Sequence, residues 1–275
     1  MKSRIVYTPS GMPKKRRGLR AITFSIAAGA GVLLICGGII FVLRAPRLQI
    51  QDIAVRGIKT LDEQAVRERI GAALAGARFY FLPRSSFFLA DTGVIASHLK
   101  KDFPRIRDAA VAKQFPDKIE VAITEREFWG VFCNGITGSS TPVCAYIDPD
   151  GIAYESSPKP QGKLIVSIQS DGREDIALGA PAVDQAVMAE IHALAEKVPA
   201  AIGSVITDFE LRARVPSEIR AETAEGFVLI FKREDEYASI LRVLKRVLDG
   251  EIKDKRVLLD YIDLRFGNKV FYKLR

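Results

Sequence analysis

The chain has 275 residues, with 41 basic and 33 acidic side chains and a formal net charge of +8 at pH 7. Seven basic residues and no acidic residue lie within positions 1–20. Without that tail, 34 basic residues face 33 acidic ones, a balance that argues against a nucleic-acid-binding surface on the rest of the protein.

A single long apolar segment follows the basic tail. Residues 21–43 are 23 consecutive uncharged residues, and a helix needs about 20 such residues to cross the hydrocarbon core of a membrane. The segment exceeds the apolar region of a cleavable signal peptide, roughly 7–15 residues, and Pro46 stands where a cleaved chain would begin. We therefore expect an uncleaved anchor, with the tail 1–20 in the cytoplasm and the rest of the chain on the other side.

The next part of the chain, residues 44–127, shows the order strand–helix–helix–strand–strand. Thr60 and Glu63 have the spacing of a capping box, which predicts the start of the first helix. This order predicts a compact α+β unit with both helices on one side of a three-stranded sheet. The expected elements are a strand within 48–57, helices over 61–75 and 88–101, and a hairpin turning at Pro116-Asp117.

The remaining residues, 128–275, predict a second α+β domain with one larger, mostly antiparallel sheet. Proline and glycine mark its turns and the ends of its helices. The expected elements are two strands around Asp148–Gly151, strands over 163–169 and 204–212, a helix from Pro181 to Pro199, a hairpin turning at Glu225-Gly226, and a helix over 234–249 closed by Gly250.

The end of the chain alternates apolar and charged residues with a period of two, which predicts a half-buried strand. Gly267-Asn268 interrupts the alternation, either as a tight turn between two strands (258–266 and 269–274) or as a bulge in one strand. In both cases the last piece is expected at the edge of the sheet. The apolar positions are Ile262, Leu264, Phe266, Val270, Tyr272 and Leu274, and the charged positions are Asp263, Arg265, Lys269 and Lys273.

Two of the three cysteines lie outside the apolar segment. Cys133 and Cys144 bracket a short loop between expected strands, on the side of the membrane where oxidation is permitted. A Cys133–Cys144 disulfide and a pair of small buried thiols both fit this pattern, because cysteine pairing cannot be read from sequence.

The sequence shows no pattern of a catalytic, metal or cofactor site. Its two histidines, His98 and His192, lie on expected helices away from the cysteines, and the motifs GxxxxGK[ST] and GxSxG do not occur. The stretch Asp148-x-Asp150-Gly151 lacks the other ligands of a calcium loop, so we interpret it as a hairpin turn. Trp129, the only tryptophan, fits an exposed anchor for a partner or, as we prefer, a packing residue between the two units.

Four phrases together resemble the FtsQ/DivIB family of bacterial cell-division proteins. The resemblance implies a basic cytoplasmic tail at 1–20, one transmembrane helix at 21–43, a POTRA domain at 44–127 and a β domain at 128–275. It also implies a single-pass protein of the cell inner membrane at the division septum. The phrases are "LQIQDIAVRGIKTLDEQAVRERIG", "FPRIRDAAVAKQFPDKIEVAITERE", "AYIDPDGIAYE" and "DYIDLRFGNKVFYKL".

The same resemblance implies a scaffold of the divisome without catalytic activity, cofactor, nucleic acid or small-molecule substrate. In that family the partners FtsB and FtsL bind the β domain by strand addition at its last strand. Arg265 is then the expected ion-pair residue, and the terminal lysines favour an acidic partner strand. The expected partner-binding residues are Arg265, Phe266, Asn268, Lys269, Val270, Phe271, Tyr272 and Lys273.

Two other functions fit parts of the sequence. An envelope POTRA protein for assembly or translocation predicts tandem POTRA units or a membrane barrel. A membrane-tethered cell-wall hydrolase predicts a converging set of carboxylates or of histidine and cysteine. Neither pattern is found in the sequence.

Overall fold

The structure is a computed structural model that describes residues 15–78, 82–135, 142–172, 175–234, 236–267 and 269–275. Its first element is helix α1 (Lys15–Arg44), which begins six residues before the predicted start. Within it, Ile26–Arg44 has a mean hydropathy of 2.6 and is long enough to cross a membrane. The first part of the predicted tail, residues 1–14, lies outside the described residues.

A three-stranded sheet follows, covered on one side by two helices. Its order is β1-β5-β4, with β1 parallel and β4 antiparallel to β5. Val66 and Ile70 of α2 and Leu99 of α3 pack against Ile119 and Val121 of the central strand in one buried cluster. The elements are β1 (Asp52–Arg56), α2 (Glu63–Leu74), a small hairpin of β2 (Ala77–Arg78) and β3 (Leu82–Pro83), α3 (Thr92–Asp102), β4 (Ile106–Gln114) and β5 (Lys118–Glu125).

The predicted order of this unit is confirmed, but the starts of both helices are not. Asp62, not Thr60, caps α2, because its carboxylate accepts the backbone N–H of Gln64. The hydroxyl of Thr60 instead donates to the carboxylate of Glu125 at the end of β5. Likewise α3 begins at Thr92 and not at residue 88, since Asp91 accepts two backbone N–H groups of its first turn.

The rest of the chain forms one larger sheet, in which nine strands are described. Their order is β14-β13-β12-β11-β10-β9-β6-β7-β8, and most neighbours are antiparallel, as predicted. The elements are β6 (Gly130–Asn134), β7 (Val143–Ile147), β8 (Ala153–Ser157), β9 (Ser167–Ser170), α4 (Gln185–Ile202), β10 (Ile206–Leu211), β11 (Glu218–Thr223), β12 (Val228–Lys232), α5 (Tyr237–Val247), β13 (Leu259–Phe266) and β14 (Lys269–Leu274).

Helices α4 and α5 share one buried apolar cluster with the sheet. Ile191 and Leu244, one from each helix, are completely buried together with Phe209, Phe231 and Ile262 of the strands. The neighbours of these strand residues point to the other face, which carries many charged side chains. The second unit is therefore a two-layer structure, with the helices on one face of the sheet and, on the other, charged residues and a small apolar cluster of Val131, Cys133 and Cys144.

Both ends of helix α4 differ from the prediction. Helix α4 begins at Gln185, because Asp184 caps it, while Pro181 pairs with Ile152 in an isolated bridge. Pro199 does not end α4, which continues to Ile202 and stops where Gly203 adopts φ of 73°.

The end of α5 also differs from the prediction. Gly250 lies within a π-helical turn, Leu248–Ile252, which continues into a 3-10 segment, Lys253–Leu258. The chain thus passes from α5 into β13 without a glycine cap. Leu248 and Ile252 stay buried against the core through this segment.

Candidate functional site: the terminal edge strand

Strand β14 lies at one end of the large sheet. Within the described chain it pairs only with β13. Phe266 pairs with Lys269 across the connection, and Gly267 has a φ of 67°, so the two strands form a hairpin with a tight turn. The alternative of a bulge in one continuous strand is excluded. Asn268, the other expected turn residue, lies outside the described residues.

The backbone of β14 presents alternate residues to solvent. The N–H of Arg275 donates to the carbonyl of Leu258, 2.8 Å away, so Arg275 faces β13. Neighbouring residues of a strand direct their backbone groups to opposite sides, so every second residue counted back from Arg275 also faces β13. The residues whose N–H and C=O face outward are Val270, Tyr272 and Leu274.

Exposed aromatic side chains surround this open backbone. Phe266 and Phe271 are each 54% exposed, and their ring centroids lie 5.3 Å apart in an edge-to-face arrangement. Tyr272 is 44% exposed. Val270 and Leu274 instead pack against the core below the sheet. The edge therefore carries exposed aromatic side chains on both faces of the strand, Phe266 and Phe271 on one and Tyr272 on the other, and we call these three residues the edge aromatics.

The guanidinium of Arg265 is already paired with carboxylates of its own sheet. Its guanidinium donates to Asp263 and to Glu218, with N–O distances of 2.6 Å to each, and both carboxylates are buried. Burial raises the pKa of Asp263, but the hydrogen bonds from Arg265 outweigh it and leave that pKa below its usual value. The Arg265 Cζ atom lies 5.7 Å from the centroid of the Phe266 ring. Arg265 thus supports the edge aromatics, while its charge is balanced within the sheet.

The two lysines of β14 differ in their partners. Lys273 Nζ lies 3.0 Å from a carboxylate oxygen of Asp260, and this hydrogen bond raises the pKa of Lys273. Lys269 forms no ion pair with any residue that the structure describes. Lys269 is therefore the unneutralised positive charge of the strand.

We expect Arg265→Ala to lower the free energy of unfolding by about 2 kcal/mol, since hydrogen bonds to charged groups each contribute roughly 1.5–3 kcal/mol. The buried carboxylates of Asp263 and Glu218 would lose their main donor, although Arg220 stays 3.5 Å from Glu218. Urea denaturation measures the effect, and Arg265→Lys, which keeps the charge, should lose less. Equal midpoints for wild type and Arg265→Ala would contradict the assignment.

The turn Asp148–Gly151 joins the two units. One carboxylate oxygen of Asp148 accepts the N–H groups of Asp150 and Ile152, at 3.0 and 2.9 Å, which closes a hairpin turn. The other oxygen lies 2.6 Å from Nη1 of Arg126, and Asp148 is almost completely buried. Arg107 also pairs with Asp150, at 2.9 Å. Arginines from the small unit thus hold acidic residues of the large one.

Of the other residues that the sequence singled out, Trp129, Cys133 and Cys144 form contacts within the large unit, and His98 lies on the small unit. The Trp129 ring lies 5.0 Å from the His192 ring and packs against the core of the large unit. His98 is half-buried on α3, and its Nδ1 has no hydrogen-bond partner in the described part of the chain. Cys133 and Cys144 lie opposite each other on β6 and β7, with their sulfurs bonded at 2.01 Å.

The small unit matches a known domain family. Residues 48–126 match the family model described as the POTRA domain, FtsQ-type. The match covers β1 to β5 and confirms the resemblance that the sequence phrases indicated. A search of curated proteins gave no match.

Proposed function

We propose that this chain, an FtsQ/DivIB-type protein by its POTRA domain, is a non-enzymatic scaffold of the bacterial divisome. It is held in the inner membrane by α1, with its N-terminus in the cytoplasm and both folded units outside. At the septum it recruits partners of the FtsB and FtsL type through strand β14.

The open backbone of β14 is the observation that carries this proposal. An exposed edge templates pairing with other chains, and soluble proteins usually block it. Within the described chain, Val270, Tyr272 and Leu274 present N–H and C=O groups without a partner along a full strand. A partner strand would add its backbone hydrogen bonds at this edge, and its alternate side chains would contact the edge aromatics.

Charge selects which strand binds. Lys269 and Lys273 project from β14, so two copies of this edge would place like charges opposite each other, which is destabilising. A partner strand with acidic residues at alternate positions would gain the opposite interaction. Since Arg265 is already paired, we assign the partner's ion pair to Lys269.

Affinity capture from solubilised membranes tests this function. The full-length tagged protein should retain small single-pass proteins with coiled-coil segments. Lys269→Glu should reduce the retained amount, and Lys197→Glu on α4, with the same charge change, should not. Capture of a membrane barrel or cleavage of cell-wall material by the purified protein would instead favour the assembly factor or the hydrolase.

A further inference from the structure

A second group of exposed aromatic residues lies on the POTRA domain. The ring of Phe87 contacts both Phe88 and Phe115 edge-to-face, with centroid distances of 5.6 and 5.7 Å. Phe88 is 54% exposed and Phe115 is 71% exposed. We call these three residues the aromatic cluster. Neither Phe88 nor Phe115 belongs to the buried core of the domain, so packing within the fold does not explain them.

Backbone hydrogen bonds place this cluster at the exit of α1. The N–H of Phe87 donates to the carbonyl of Leu48 at 2.8 Å, and the N–H of Gln51 donates to the carbonyl of Asp117, two residues after Phe115, at 2.9 Å. Leu48 follows Arg44, the last residue of α1, by four positions, which spans at most about 14 Å even when fully extended. Both loops that carry the cluster are therefore close to the membrane that α1 is able to cross.

The charges around the cluster suit a lipid surface. Arg47, which precedes Leu48, and Arg84, three residues before Phe87, are exposed, and neither forms an ion pair with a described residue. Lys113 Nζ lies 5.4 Å from the centroid of the Phe87 ring and donates to two backbone carbonyls nearby. Asp117 is the acidic residue of the turn between β4 and β5 that carries Phe115. Exposed phenylalanines beside free arginines are typical of surfaces that lie in the interface of a bilayer.

We infer that the aromatic cluster inserts into the headgroup region of the membrane that α1 crosses. The POTRA domain then has a second, interfacial membrane contact, with Arg47 and Arg84 directed to lipid phosphates. The tether through residues 45–48 keeps the cluster near the surface, so a weak intrinsic affinity suffices. This contact would set the orientation of the POTRA domain, and so the height of the β14 edge above the membrane.

Depth-dependent fluorescence quenching tests this contact in the full-length protein. Trp129 is the only tryptophan, so Trp129→Phe gives a silent background in which Phe115→Trp and Phe88→Trp are separate reporters. Leu164→Trp, at a side chain that is 99% exposed on the large unit, is the matched control. Each variant is reconstituted in phosphatidylethanolamine–phosphatidylglycerol vesicles with or without lipids brominated near the headgroup.

We expect at least twofold quenching by brominated lipid at positions 115 and 88, with blue-shifted emission, and no quenching at position 164. Quenching at 115 and 88 no stronger than at 164 would overturn the inference. Blue-shifted emission in both detergent and vesicles without quenching would also overturn it, because a protein surface would then cover the cluster. Two independent reporters keep the test decisive if one variant does not fold.

Discussion

We expect Glu125→Gln to lower the free energy of unfolding of the POTRA domain by about 3 kcal/mol. The Glu125 carboxylate is buried at the end of β5 and accepts backbone N–H groups of Lys59 at 2.7 Å, Thr60 at 3.0 Å and Leu61 at 3.2 Å. The Thr60 hydroxyl donates to it as well. Glutamine replaces one acceptor oxygen with a donor that faces these donors, and a buried group left without a partner costs roughly 1–3 kcal/mol, or more for a charged group.

The stability lost in Glu125→Gln should be larger at neutral pH than at acidic pH. Burial raises the pKa of Glu125, but the hydrogen bonds from Thr60, Lys59 and Leu61 outweigh it and lower the pKa from 4.5 to about 2. The ionised carboxylate therefore stabilises the fold fully above about pH 4.5, and this contribution is lost as the pH falls towards 2. At about 1.36 kcal/mol per pKa unit, the shift corresponds to roughly 3 kcal/mol.

Urea denaturation at pH 7 and pH 3 measures both effects. The difference between wild type and Glu125→Gln should be largest at pH 7 and shrink at pH 3. Glu127→Gln is the control, because the Glu127 side chain is 78% exposed and lies 3.9 Å from Lys59; it should change stability by less than about 0.5 kcal/mol. A difference that stays constant across this pH range would contradict the role of Glu125.

We expect Tyr272→Pro to weaken partner binding strongly and to leave the fold intact. Proline removes the outward N–H of residue 272, which no described residue accepts, and edge strands tolerate proline for that reason. Loss of the hydrogen bond together with the clash of the ring should weaken binding by at least about 100-fold, or roughly 2.7 kcal/mol. Val270→Pro should act in the same way. Binding of the captured partner and the thermal midpoint are measured on the same preparations.

Two controls separate the backbone from the side chain. Tyr272→Ala removes the ring but keeps the N–H, so it should bind more tightly than Tyr272→Pro. Phe271→Pro removes an N–H that faces β13 and should destabilise the hairpin. If Tyr272→Pro and Tyr272→Ala bound the partner equally well, strand addition at β14 would be wrong.

Local patterns in the sequence were sufficient to predict the order of helices and strands along the POTRA domain and the edge strand. Period-two alternation predicted β13 and β14, because it depends only on neighbouring residues. The same pattern did not reveal that Arg265 is held by Glu218, which lies 47 positions earlier in the chain. Its role as the partner's ion-pair residue was inferred without that contact.

Long-range contacts also explain the other differences. Thr60 has the spacing of a capping residue, but Glu125, 65 positions away, binds its hydroxyl and its N–H. The Arg126–Asp148 pair that joins the two units has no local signature either. Tertiary contacts of this kind decide between alternative local structures that sequence patterns alone do not distinguish.

Residue-resolved hydrogen–deuterium exchange of the purified complex tests strand addition at β14 most directly. The amides of Val270, Tyr272 and Leu274 should exchange at least tenfold more slowly with the partner bound. Those of Phe271 and Lys273, already bonded to β13, should change little. Unchanged exchange at positions 270, 272 and 274 in an intact complex would contradict the account.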